Sequence, residues 1–121
     1  MNTLKKEIIK SELEFPDKAK PDTVVKRYCF RPDFIGFSGH FPGYPILPAL
    51  VQLQIGNILA EENEGRPLRI SSVERAKFLL EIHPNQEVLA QCKMRLLRGK
   101  LAADVSIMLK NSLASSILLT F

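Results

Sequence analysis

The chain has 121 residues, 45% hydrophobic, 25% charged and 7% aromatic, enough for one hydrophobic core and unlike a disordered, collagen-like or disulfide-scaffold composition. Lysine and arginine number 17 against 13 acidic residues, a net charge of +4, with no block of five like charges. That spread excludes the concentrated charge and interleaved aromatics of a nucleic-acid surface and fits an acidic protein partner better.

No run of about 18 apolar residues offers a membrane span. No apolar segment follows the basic start, Met1 to Glu7, as a secretion signal requires. A single domain over residues 1–121, soluble and cytoplasmic, is expected. Cys29 and Cys92 stand far apart in apolar stretches, with no CxxC and no histidine at ligand spacing. They read as core thiols, and no metal site is expected.

In chain order, Lys5 to Phe15 reads as a strand stopped by Pro16-Asp17, and Thr23 to Arg31 as another stopped by Pro32-Asp33. Pro48 to Asn63 has helix length, a proline in its first turn and Gly65 just past its end. Its apolar residues occupy almost every side, which marks a buried helix. Leu68 to Ile82 is a longer strand ending at the turn His83-Pro84-Asn85-Gln86, where His83 reads as a solvated turn residue. Val88, Ala90, Cys92, Met94 and Leu96 then alternate with polar residues, and Leu101, Ala103, Val105, Ile107 and Leu109 repeat the pattern. Arg98-Gly99 joins these two as a tight hairpin. Asn111-Ser112 turns into a last strand, Leu113 to Phe121. The expectation is a four-strand meander in the C-terminal half, within an α+β arrangement of six strands curved around one buried helix.

The stretch from Phe34 to Pro48 is the least ordinary. Three glycines, three prolines, four aromatics and His40 fall within it. Glycine and proline this dense fix specific backbone angles. An imidazole held in such a loop among apolar rings suits a general base near neutral pH. A histidine that only hydrogen-bonds the loop backbone fits the composition equally, and both readings stand.

The run Gly39-His40-Phe41-Pro42-Gly43-Tyr44-Pro45-Ile46-Leu47-Pro48, followed by an apolar helix, resembles the β-hydroxyacyl-acyl-carrier-protein dehydratases of the FabZ and FabA type. Their signature runs GHFPG-x-P-x-x-PG before a central helix. Arg75-Ala76-Lys77-Phe78 is similar to their basic-aromatic strand. The resemblance implies a hotdog fold, an antiparallel sheet of about six strands wrapped around one long central helix, with the family's N-terminal helix shortened or missing. It implies a homodimer, or a heterodimer with a related hotdog subunit, with acyl tunnels at the interface. No cofactor is implied, because the substrate rides on the phosphopantetheine arm of acyl-carrier protein.

In that reading His40 takes the C2 proton of a 3-hydroxyacyl thioester, and the backbone N–H at Ala49 polarises the thioester carbonyl. Gln54 stands where the family has the carboxylic acid that protonates the departing hydroxyl. Phe37, Gly39, Phe41, Pro42, Gly43, Tyr44, Pro48 and Leu50 are the expected walls for the acyl chain. Arg75 and Lys77 are the expected rim for the carrier protein. Ala49 replaces a glycine without loss, since it still offers its N–H. Gln54 is the serious departure, because an amide gives up no proton at neutral pH and losing a general acid costs about 10²–10⁴-fold.

Gln54 then has three readings: an amide that pins the helix to the His40 loop, an amide that orients substrate or water, or the mark of a subunit whose acid comes from a partner chain. Three functions follow. The first is a dehydratase of fatty-acid or polyketide-type chain assembly, giving the trans-2-enoyl thioester. The second is a catalytically impaired subunit that binds acyl chains or pairs with an active dehydratase. The third is an acyl thioesterase.

Overall fold

The structure, a computed structural model, describes residues 3–13, 17–38 and 43–121, with 17–19 described for their backbone. Its organising element is a 16-residue helix, α2, over Ala49–Glu64. Pro48 occupies the N-cap with φ −66° and ψ 155°, and Gly65 ends the helix at φ 71°, its N–H donating to the Glu61 carbonyl. That left-handed conformation is the one a glycine adopts without Cβ strain. Val51, Ile55, Ile58 and Leu59 are buried along α2. Gly56 allows close approach to the sheet: a Cβ there would lie 3.0 Å from a methyl of Val105 and 3.1 Å from one of Leu119.

The sheet has six antiparallel strands: β1 (Asp17–Lys20), β2 (Thr23–Cys29), β3 (Ser72–Phe78), β4 (Glu87–Leu97), β5 (Lys100–Leu109) and β6 (Ser112–Thr120). Their order is β1-β2-β4-β5-β6-β3. Because β1 has only four residues, five long strands carry the layer that α2 packs on. The inward row on β4 is Val88, Ala90, Cys92 and Met94, all buried, and Val105, Ile107, Ile117 and Leu119 continue it across β5 and β6. Arg98 (φ 49°) and Gly99 (φ 80°) make the tight β4–β5 turn that their sequence predicts.

Three expectations are corrected. The C-terminal half is not a four-strand meander, since β3 pairs with β6 at the sheet edge and β4 pairs with β2. Alternation reveals that a segment is a strand and which residues face inward, but it carries no information about its partner. The strand expected from Leu68 to Ile82 forms only over Ser72–Phe78, with a register shift between Val73 and Arg75.

The third correction is at the start, where Lys5 to Phe15 is not a strand. Thr3–Lys10 form a helix of eight residues, α1, so the N-terminal helix expected to be shortened or missing is not missing. Leu4 and Ile8, four apart, pack one helical face onto the core. From Ser11 onward the segment pairs with β2, through Leu13 N–H to the Arg27 carbonyl and Cys29 N–H to the Ser11 carbonyl, both 3.0 Å.

Candidate functional site

The approach to the glycine-proline loop is built from stacked aromatics. Tyr28 and Phe30 stack at 5.7 Å, Phe30 meets Phe34 at 4.7 Å, and Phe34 meets Phe37 edge-on at 5.6 Å. A 3-10 turn over Ile35–Phe37 brings the chain against α2. A Cβ at Gly36 would sit 2.3 Å from the Phe34 ring and 2.9 Å from Val51, so only glycine fits there. Phe37, expected as a wall for the acyl chain, is 6% exposed and belongs to the core. Gly39, His40, Phe41 and Pro42 lie outside the described residues.

From Gly43 (φ 83°) the chain runs down to α2 and is fastened on both sides. The Leu47 N–H donates to the Ile82 carbonyl at 2.7 Å. Gln52 Nε2 donates to the Leu47 carbonyl at 3.2 Å. The segment therefore lies between the start of α2 and the stretch that follows β3. Between them is a groove of about 330 Å³, with Leu47, Phe78, Leu79 and Leu80 as apolar wall and Ala49 at its base.

Pro48 supplies no side-chain cap, so the first-turn N–H groups of α2 keep their donor capacity beside this groove. They carry the positive end of the helix dipole. Such an arrangement suits a carbonyl on which negative charge develops. Leu50, one residue on, is 59% exposed.

Gln54 Oε1 is buried and has no hydrogen-bond partner among the described residues. Gln52 ties the first turns of α2 to the Leu47 carbonyl, while the bonds proposed for Gln54 to the His40 loop fall outside the described residues. Gln52 is 4% exposed and its own Oε1 has no described partner. The signal for Gln52 was present in the sequence: it falls three and seven residues before Ile55 and Leu59, on the buried stripe, where a polar side chain needs a partner. Further along α2 no acid stands ready to replace one at position 54. Glu61 accepts from Lys5 Nζ at 3.1 Å and from the Leu68 N–H at 2.8 Å, while Glu62 is held by Lys26.

Two residues singled out in the sequence make contacts that no local pattern indicates. Tyr44 is 54% exposed, and its hydroxyl donates to Glu81 Oε1 at 2.6 Å, which raises the phenol above its ordinary range. His83 is not a solvated turn residue: its ring is bonded to the Pro45 carbonyl at 3.0 Å and packs edge-on against Tyr44. Glu81 carried no signal in the sequence, because Tyr44, whose hydroxyl donates to it, is 37 positions distant.

Arg75 and Lys77 lie on β3, facing away from α2. Arg75 donates to Ser116 Oγ at 3.3 Å and stands 3.7 Å from Asp104, which Arg95 also engages at 2.5 Å. Arg98 pairs with Glu74 at 2.6 Å and, with Ser72, holds that carboxyl below its usual range. Both cysteines are free, Cys92 buried and Cys29 partly so. Burial pushes the Cys92 thiol up to about 12. Among the described residues no group of three His, Cys, Asp or Glu side chains is placed to hold a metal ion. No helix among them is long and apolar enough to cross a membrane.

Comparison with known proteins places this geometry. Of solved structures, the dehydratase heterocomplex ApeI:P from Xenorhabdus doucetiae superposes with a TM-score of 0.76 at 20% identity, covering 90% of this chain and 94% of that one. A hypothetical thioesterase with coenzyme A from Streptococcus pneumoniae reaches 0.68 at 10% identity, covering 97% and 91%. At such identities the likeness is one of fold, and the fold is the hotdog. In sequence, the 3-hydroxyacyl-[acyl-carrier-protein] dehydratase FabZ of Streptococcus suis is 27% identical over 93 residues, 70% of this chain and 66% of its own. That of Listeria welshimeri is 24% identical over 93 residues, 71% and 63%. The matches span slightly less than two thirds of these relatives. The profile of the ApeI-like family, described as ApeI dehydratase, matches residues 16–116, a span that contains the loop, all of α2 and nearly all of the sheet. The chain belongs to the ApeI-like dehydratase family.

Proposed function

We propose that the protein eliminates water from 3-hydroxyacyl thioesters carried on acyl-carrier protein, giving trans-2-enoyl thioesters for fatty-acid or polyketide-type chain assembly. The observation that carries this reading is the apolar groove that ends at the uncapped first turn of α2, directly after the GHFPG loop. A thioester lying in that groove meets the N–H donors at Ala49, and His40, nine residues earlier in the same motif, is its base. His40 takes the proton from C2, the electron pair left there forms the C2–C3 double bond, and the imidazolium so formed returns that proton to the departing C3 hydroxyl, which leaves as water. The helix N-terminus stabilises the enolate-like charge on the thioester oxygen. Arg75 and Lys77 serve the acidic carrier protein, and phosphopantetheine arrives with the substrate.

A second reading is favoured by Gln54 together with the surface beside it. Gln54 offers no proton, and its buried oxygen lacks a described partner. Edge strand β3 and the residues after it expose Val73, Phe78, Leu79 and Leu80, each 41–58% accessible. An unpaired edge with an apolar flank is a surface that another chain covers. A related hotdog subunit seated there supplies the missing carboxylate, and this chain is then one half of a mixed dehydratase. That one neighbour of similar fold is a dehydratase heterocomplex supports the idea.

The test is to give purified protein a 3-hydroxyacyl-carrier substrate, alone and with a co-encoded homologue, and to follow the acyl chain by mass. Loss of water from the protein alone supports the first reading. Loss of water only in the mixture supports the second. Release of free carrier thiol overturns both and points to a thioesterase.

A further inference from the structure

Segment 43–48 and the stretch 81–83 are fastened by more than their one backbone bond. His83 Nδ1 lies 3.0 Å from the Pro45 carbonyl. A carbonyl oxygen only accepts, so this nitrogen carries a proton. His83 Nε2 stands 3.4 Å from Glu81 Oε1, the same oxygen that accepts from the Tyr44 hydroxyl at 2.6 Å. The Tyr44 and His83 rings then close the circuit at 5.1 Å and 70°. Gln86 holds the base of the arrangement, its Oε1 accepting from the His83 N–H at 2.8 Å.

Two facts about this cluster pull in different directions. Its side chains are not core: Tyr44 is 54% exposed, and Glu81 and His83 are 51% and 31% exposed. Exposed contacts of this kind add little to folding stability. Yet the cluster clamps the few residues that separate the GHFPG loop from α2, and Glu81 stands on the rim of the groove that ends at Ala49. A misplacement of about 1 Å between reacting groups costs as much as ~100-fold in rate.

We propose that Tyr44, Glu81 and His83 form a positioning latch that fixes the spacing between the His40 loop and the N-terminal turn of α2, acting on turnover and not on folding. This rests on the dehydratase reading. His83 holds the Pro45 carbonyl, Glu81 joins His83 to Tyr44, and the segment between loop and helix is thereby kept in one place.

The test uses the full chain with three variants at one position. In His83→Asn the amide nitrogen falls near Nδ1, whereas in His83→Gln it falls near Nε2. In the carrier-substrate assay, in whichever assembly the wild type is active, His83→Ala is expected to lower kcat about 10- to 100-fold with KM within about twofold. Its urea midpoint stays at the wild-type value. Asn restores most of kcat and Gln does not, while Tyr44→Phe gives an intermediate loss. An unchanged kcat in His83→Ala, a loss that follows the unfolding midpoint, or equal rescue by Gln and Asn overturns the latch while leaving the dehydratase reading in place. If the wild type forms no enoyl product in any assembly, it is the parent reading that has failed. The latch is then read from amide hydrogen exchange over residues 43–48: faster exchange in His83→Ala supports it, and unchanged exchange overturns it.

Discussion

Replacing Lys26 by methionine isolates the one strongly buried charge among the described residues. Lys26 lies on β2 with its side chain 2% exposed, and its ammonium donates to Glu12 Oε2 at 2.6 Å and also to Glu62 Oε1. Glu12 bridges to Tyr28 just after α1, and Glu62 belongs to the last turn of α2. One ammonium thus joins the N-terminal segment, the sheet and the central helix.

Methionine matches lysine as far as Cε and lacks only the ammonium, so the change keeps the packed stem and leaves two carboxylates facing each other without a cation. Removing one member of a buried pair costs about 3–5 kcal/mol. The side chains of Glu12 and Glu62 are 14% and 32% exposed, so both turn partly to water and the expected loss is lower, about 2–3 kcal/mol. Urea unfolding followed by circular dichroism is expected to show an earlier midpoint at unchanged slope. Adding Glu12→Gln to Lys26→Met removes one uncompensated charge and is expected to recover about 1 kcal/mol. A single-variant loss below about 0.5 kcal/mol, or no recovery in the double variant, refutes the view that this triad holds the three elements together.

Gly56→Val places methyl groups where even a Cβ meets Val105 and Leu119 at 3.0 and 3.1 Å; overpacking is expected to cost about 1–3 kcal/mol in urea unfolding, and a neutral result contradicts the close approach of α2 to the sheet. The Tyr28 hydroxyl is buried without a partner among the described residues, and burial, with Glu12 and Glu62 adding, holds its phenol well above the ordinary range. Tyr28→Phe is therefore expected to be neutral or stabilising by up to about 1 kcal/mol, and a loss above about 2 kcal/mol reveals a bond not accounted for. The Cys92 thiol, raised by burial from 9.0 to about 12, stays protonated in the folded chain while the unfolded chain ionises. Stability is then full below about pH 9 and falls as pH rises from there toward 12, by up to about 1.4 kcal/mol per pH unit, with a flatter slope in Cys92→Ala. In neutral buffer a thiol reagent is expected to modify Cys29 quickly and Cys92 only after denaturation.

How much of this was legible in the sequence depends on the range of the signal. The buried helix was readable because Pro48, Gly65 and an apolar surface on nearly every side are local cues, and they place its ends within a residue of Ala49 and Glu64. The β4–β5 hairpin was readable from strict alternation around Arg98-Gly99. The pairing of β3 with β6 was not, because a strand shows which side is apolar and leaves its neighbour open. The N-terminal helix was hidden by two adjacent isoleucines, Ile8 and Ile9, which fit a strand as well as a helix face; only Ile8 is fully buried.

In the candidate site the motif was legible, but its fastenings were not. The bond from Gln52 to the Leu47 carbonyl is marked in the sequence by nothing more than helical phase. Tyr44, Glu81 and His83 meet across the chain, where no local pattern connects them.

The account turns most directly on position 54, where an amide stands in the place of the family's acid. Gln54→Glu is measured beside the wild type in the 3-hydroxyacyl-carrier assay, alone and with a related subunit, with His40→Ala as the inactive reference. The predicted result is a rise in water elimination of about 10²–10⁴-fold in at least one assembly, abolished by His40→Ala in the same chain. A folded Gln54→Glu protein that eliminates water no faster than wild type in either assembly contradicts the assignment of the groove, the loop and α2 as a dehydratase site.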